Sequence, residues 1–217
     1  MLKKFFPILL DILFPLVCCG CGAEGTLLCP ACERRLPVLF KLVTNPSPHL
    51  NFVLICLNYE SPIVRSLMHQ FKYGGVTGVA DSLGNILVRG LEHIPQNDRF
   101  TVVPVPLHKR KQRIRGFNQS ELLARKLTAA TGQVLNMGLL RKRFTRSQTR
   151  LNRKQRLRNL AGCFSYAAGK APERVLLIDD VATTFSTLDE AARELKKAGS
   201  KCVGALVVAK NEDISAV

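Results

Sequence analysis

Residues 174–187, RVLLIDDVATTFST, decide much of what this chain can fold into. An apolar run, Val175 to Ile178, ends in two adjacent carboxylates, Asp179 and Asp180. Val181 and Ala182 lead into a hydroxyl-rich turn of Thr183, Thr184, Phe185, Ser186 and Thr187, and a helical pattern begins at Leu188. A continuous Val/Leu/Ile run is what a strand buried on both faces requires. Its polar end then meets a helix start, where backbone N–H groups have no partner within the helix. Such a site suits a phosphorylated sugar. The acids accept hydrogen bonds from ribose hydroxyls or hold Mg²⁺. The turn and the helix N-terminus hold a phosphate. The plainer explanation is a core strand with a polar end, but such a strand has no need of adjacent acids and four hydroxyls within nine residues.

Strand and helix patterns alternate along the rest of the chain. Residues 52–59 read as a strand. Ser61-Pro62 starts a helix over 63–71, with Pro at its first position, ending near Gly74, and a second helix spans 80–91. Residues 100–105 form a strand that Pro104 and Pro106 bring to an end. Residues 107–115 read as a loop with His108 and five basic side chains. A helix over 116–131 starts near Asn118 or Ser120, has Leu122, Leu123 and Leu127 on one face, and stops at Gly132. Strands follow over 133–140, 161–166 (an edge strand), 174–180 and 202–209, with a helix over 188–198 capped by Gly199. Residues 36–50 contain Pro37, Pro46 and Pro48 and read as a connector. The alternation predicts an α/β fold with a parallel sheet. Ligands of such sheets bind beyond the carboxyl ends of the strands, where the Asp179 turn and the loop after Pro106 both fall. The expected organisation is an N-terminal helix, a cysteine module and a connector over 1–50, then an α/β domain over 51–217.

Four of the eight cysteines lie in Cys18-x2-Cys21-x7-Cys29-x2-Cys32. Two CxxC pairs supply four thiolates to a tetrahedral Zn²⁺, and a set without His or acid is a closed structural site. So short a segment cannot bury a core of its own, so the metal would supply its folding energy. A redox CxxC would not need the second pair. Cys56, Cys163 and Cys202 sit on apolar stretches as small buried hydrophobes.

The net charge is +16, from 32 Lys and Arg against 16 Asp and Glu. Sixteen of the cations fall between Lys109 and Arg158, beside one acid, Glu121. A field so concentrated attracts polyanions: nucleic acid, anionic membrane or phosphorylated ligands. At the N-terminus, Pro7, Asp11 and Pro15 interrupt the apolar run, which has no signal-peptide cleavage site and is too short to span a membrane. It reads as a short amphipathic helix packed on the main domain or lying at the inner face of the membrane. The expected setting is the reducing cytoplasm, where cysteines serve metals rather than disulfides.

The order strand, acid pair, V-x-T-T-x-S-T, helix resembles the phosphoribosyl-pyrophosphate (PRPP) loop of type I phosphoribosyltransferases. With the two CxxC pairs, Phe71-Lys72-Tyr73, VPVPLHKRKQRIRGFNQSELLA (102–124), Arg158-Asn159-Leu160 and LLIDDVATT (176–184), the chain resembles the ComF family of competence proteins nearly throughout. In that family a zinc-finger segment precedes a phosphoribosyltransferase-like domain. The resemblance implies a role in importing single-stranded DNA during natural transformation, alongside a helicase-like partner. It further implies that Leu107, His108 and Lys109 hold pyrophosphate, that Asp179 and Asp180 meet the ribose hydroxyls with Mg²⁺, and that Ala182 to Thr187 hold the 5-phosphate. Lys72 falls in a family block without an assigned role. Phe185 stands where the family usually has Gly, which permits positive φ and close backbone approach. That substitution weighs against tight PRPP binding and more so against turnover. Thr183 stands where purine-salvage relatives carry an acidic base, which argues against transfer to a purine by their route.

Three functions follow from these features. The first is a single-stranded DNA factor, with Lys109, Arg110, Lys111, Arg113, Arg115, Arg141, Lys142, Arg143, Arg146, Arg150, Arg153, Lys154, Arg156 and Arg158 on phosphates and Phe117 or Phe144 stacking on bases. The second is an active phosphoribosyltransferase with an unknown acceptor. The third is a PRPP or nucleotide sensor without turnover.

Overall fold

A computed structural model describes residues 16–74, 78–96, 99–143 and 160–211. Residues 1–15, which carry most of the run expected to form the N-terminal helix, lie outside the described residues. So do Phe144, Arg146, Arg150, Arg153, Lys154, Arg156 and Arg158. In chain order the elements are α1 (Pro30–Arg34), β1 (Val38–Ser47), β2 (Leu50–Asn58), α2 (Pro62–Tyr73), α3 (Val79–Leu91), β3 (Thr101–Pro104), α4 (Lys109–Arg115), α5 (Gln119–Thr131), β4 (Leu139–Arg141), β5 (Phe164–Tyr166), β6 (Arg174–Ala182), α6 (Ser186–Lys197) and β7 (Cys202–Lys210).

Five strands form one sheet in the order β1-β2-β7-β6-β3. All neighbours are parallel except the β1–β2 hairpin. Along β6, Val175 and Leu177 pack on one face with Leu188, Ala191 and Leu195 of α6. Leu176 and Ile178 pack on the other with Leu83 and Leu87 of α3 and Leu123 and Leu127 of α5. Covered faces on both sides explain why the strand reads as continuous apolar sequence rather than alternation. β6 and β3 run parallel in register, Val102 opposite Leu176 and Pro104 opposite Ile178, so their carboxyl ends open at one edge.

The structure corrects several local expectations. Residues 38–47, expected to lie in a connector, form the edge strand β1. Pro46 falls where the β1–β2 register shifts between Thr44 and Ser47, and an edge strand loses little by lacking one N–H donor. Residues 109–115 form a helix, not a loop. None of its residues is buried, so it has no apolar periodicity to read. Of the strand expected over 133–140, only β4 is regular. The Asn136 side-chain carbonyl accepts from the Gly138 N–H at 2.8 Å, a local turn that competes with the ladder, and Leu135 keeps a lone bridge to Val102. β5 pairs with β4 in a separate two-stranded sheet. Among the described residues, no helix is long and apolar enough to cross a membrane.

Candidate functional site

β6 stays in the ladder as far as Ala182, opposite Lys210, so Asp179 and Asp180 are fixed by the sheet rather than by a loop. Asp179 Oδ1 accepts the Ser120 hydroxyl at 2.8 Å and the Asp180 backbone N–H at 2.9 Å. Asp180 Oδ1 accepts the Val181 N–H at 2.6 Å, and its Oδ2 lies 3.2 Å from Lys72 Nζ. Burial, and after it the charge of Asp180, pushes Asp179 up to about 7, although Ser120 and Lys72 oppose the shift. Burial works against the charge of Lys72, but the Asp180 and Asp179 carboxylates together more than offset it, and the ammonium titrates above its usual range.

These acids line a cavity of about 340 Å³. Lys72 of α2, Lys111 and Arg115 of α4 and Arg141 of β4 line the same cavity. Lys111 is held below its ordinary value by burial and by Arg141, Arg115 and Lys72. Burial lowers Arg141 in the same way. The Arg115 guanidinium donates to Gln119 Oε1 at 3.2 Å and lies 5.3 Å from the centre of the Tyr73 ring. Two carboxylates, one paired with Lys72, and three further crowded cations form a site for a ligand that is itself multiply anionic and carries hydroxyls. The turn after β6 lines the cavity as well. Thr184 Oγ1 and Ser186 Oγ share a hydrogen bond of 2.8 Å, and α6 starts at Ser186 with its free N–H groups beside the cavity. Phe185 has φ +57° and ψ +1°, the left-handed region that favours glycine.

The expected site residues divide accordingly. Asp179, Asp180, Val181, Ala182, Thr183, Phe185, Ser186, Thr187 and Leu107 line the cavity, whereas Thr184, His108 and Lys109 do not. His108 instead caps α4, its Nδ1 accepting the Arg110 N–H at 3.2 Å. Of the cations expected on nucleic acid, Lys111, Arg115 and Arg141 turn into this cavity. Lys109, Arg110, Arg113, Lys142 and Arg143 are exposed. Sequence reasoning left Lys72 without a role and missed Gln119 and Ser120 as lining groups. Their one available signal was position: Lys72 follows the fully buried Phe71, and Ser120 follows the Asn118 helix cap, whose side chain accepts the Ser120 N–H.

The Cys18, Cys21, Cys29 and Cys32 sulfurs lie within 4.8 Å of one another. The turn of the first pair closes at Gly22, at φ +75°, whose N–H donates to the Cys18 carbonyl at 2.9 Å. Burial tends to raise Cys18, but amides of Cys29, Gly20 and Cys21 prevail and bring it down to about 6. Cys32 is pushed up to about 12 by burial and by the other thiols. Four soft donors at these separations, with amides already turned toward one sulfur, could hold a metal ion such as zinc. Leu27, Leu28 and Leu36 of the same segment belong to the core cluster formed by α2, α3 and α5.

A family model described as "Phosphoribosyl transferase domain" matches residues 115–214. The chain is 30% identical over 197 residues to the "DNA utilization protein YhgH" of Escherichia coli, covering 86% of each chain. It is 30% identical over 190 residues to "Competence protein F" of Haemophilus influenzae, covering 83% of this chain and 79% of that one. To "Competence protein ComFC" of Streptococcus pneumoniae it is 34% identical over 112 residues, 52% of this chain and 49% of that one.

Proposed function

The chain belongs to the ComF family of competence proteins, and from that premise we propose that it handles single-stranded DNA in natural transformation and binds a phosphoribosyl ligand such as PRPP. The observation that carries the ligand half is the cavity of about 340 Å³ that Asp179 and Asp180 line together with Lys72, Lys111, Arg115 and Arg141. In this reading the two carboxylates meet the ribose hydroxyls and Mg²⁺, whose preference is for hard oxygen donors. Residues 182–187 take the 5-phosphate. Leu107 and the three cations take the pyrophosphate, with Lys72 holding Asp180 in place. His108 and Lys109 act from the adjoining helix start. The four cysteines hold a structural zinc ion. The work is cytoplasmic, alongside a helicase-like partner.

The DNA half rests on the exposed cations Lys109, Arg110, Arg113, Lys142 and Arg143 and, by sequence alone, on the basic positions of 146–158. Binding to phosphates alone is independent of sequence and falls with salt, with a slope of roughly −0.7 per phosphate neutralised on a single strand. Fluorescence anisotropy with single-stranded DNA over a salt series, with and without PRPP and Mg²⁺, tests both halves. Binding that is insensitive to salt, or absent at low salt, would sink the DNA reading. An affinity that PRPP shifts makes the protein a ligand-gated DNA factor, and DNA must then shift PRPP affinity by the same factor.

One observation favours active phosphoribosyl transfer as a second reading: cations and acids share a cavity, so departing pyrophosphate would leave into a positive wall. The non-glycine Phe185 in the phosphate turn weighs against it. Pyrophosphate release that needs both an added acceptor and Asp179 would establish it. No release across a panel of bases would exclude it.

A further inference from the structure

Three exposed apolar side chains crowd one short segment: Val134, Met137 and Leu140, at 67%, 43% and 46% exposure. Singly they would need no explanation. Met137 and Leu140, however, line a second cavity of about 520 Å³, together with Pro106, Leu107 and Leu139. The Pro106-Leu107 turn and Arg141 are common to both cavities, so the two are neighbours across one wall. The exposed Lys109 of α4 and Lys142 beyond β4 also line it, as does Gln112. The lining acid, Glu121, is paired with Arg125 at 2.9 Å, so it presents no bare negative charge.

An apolar floor between cations fits a ligand that is flat and apolar in one part and anionic beside it. A duplex keeps its bases stacked inside, but a single strand offers both features in every nucleotide. We propose that this second cavity receives a base of single-stranded nucleic acid, whose flanking phosphates run across Lys109 and Lys142. The inference rests on the DNA-handling reading above and adds to it a base-dependent component that phosphate contacts cannot supply. Every base has an apolar face, so the cavity accepts them without choosing a sequence. A strand seated here also lies against the wall of the phosphoribosyl cavity.

The test compares two oligonucleotides of equal length and phosphate count, one of normal thymidine residues and one of abasic residues, by anisotropy at several salt concentrations. The abasic strand is expected to bind about fivefold more weakly, the loss expected if a base buries on the order of 40 Å² of apolar surface, with an unchanged salt slope. In the double variant Met137→Ala/Leu140→Ala the two strands should bind alike. Both side chains are already exposed, so the folded state tolerates their truncation, and circular dichroism checks it. Equal binding of the two strands to the native protein would overturn the base cavity while leaving the DNA reading intact. So would a base preference that survives the double variant. Failure of both strands to bind at low salt would overturn the DNA reading and the cavity with it.

Discussion

Phe185 allows a direct test of backbone strain beside the phosphate turn. Its φ of +57° places it in the left-handed region at the start of α6. For a residue with a Cβ that conformation costs about 1–2 kcal/mol, and glycine escapes most of it. The ring offsets part of the cost. It packs partly buried against the core under α6, and Lys210 Nζ lies 5.9 Å from its centre, a contact worth about 0.5–1 kcal/mol where solvent reaches it. Phe185→Ala removes the ring and keeps the strain, and should destabilise by on the order of 1 kcal/mol. Phe185→Gly removes both. At an ordinary position glycine is about 0.5–1 kcal/mol worse than alanine. Here the order should invert, with the glycine variant about 1 kcal/mol more stable than the alanine variant, or roughly 2–4 °C in Tm for a chain of this size. Urea denaturation of the two variants measures it, provided the slope of the transition is unchanged. Calorimetric titration with PRPP and Mg²⁺ should show the glycine variant binding more tightly than either alternative, because the backbone can then approach the phosphate. An alanine variant more stable than the glycine one by the ordinary margin of about 0.5–1 kcal/mol would refute the reasoning, since it would mean that φ at 185 carries no penalty.

Asp179 predicts a pH dependence. It is pushed up to about 7 by burial and by Asp180, while the unfolded chain releases the same proton near about 3.9. The native state therefore binds the extra proton, and stability falls as pH rises between those values. Asp179→Asn should flatten the stability profile in that window and exceed the native protein above it. A variant that keeps the native slope would show that another group titrates there. Lys72→Met leaves the two carboxylates without their nearest cation and should cost about 2 kcal/mol, reduced from fully buried pairs because both ends keep some solvent contact. Lys72→Met/Asp180→Asn should recover part of that loss, and a single variant as stable as the native protein would mean the pair contributes nothing. Chelation should remove one metal ion per chain and lower the Tm of the whole domain, because Leu27, Leu28 and Leu36 belong to the α2–α3 core. Amide exchange that quickens only within 16–36 would instead mark the module as independent.

The β6-turn-α6 unit was legible in the sequence because three signals coincide there. An apolar run, an acid pair and a hydroxyl turn each restrict the backbone on their own account. The cysteine cluster was legible because CxxC spacing is itself geometry. The cationic wall of the cavity was not. α4 buries no side chain, so nothing in its pattern marked it as a helix, and as a loop its five cations were equivalent. Once it is helical, Lys111 and Arg115 are four apart and share one face. They turn to the acids, while Lys109 and Arg113 do not. Arg141 and Lys72 join them only through tertiary packing of β4 and α2, which no local spacing records. β1 was hidden by Pro46 within it and by Pro37 and Pro48 beside it, and an edge strand accommodates an internal proline where a central one would not.

The sheet order also sets a schedule for synthesis. β2 pairs only with β1 and β7, and β6 only with β3 and β7. From the emergence of Asn58 until Lys210 has left the ribosome, β2 carries an unpaired apolar edge, and β6 carries another facing the same vacancy. Such edges recruit foreign strands. In the described sheet β7 is the strand between them, so the nascent chain relies on its helices or on chaperones to shield both edges until β7 is made.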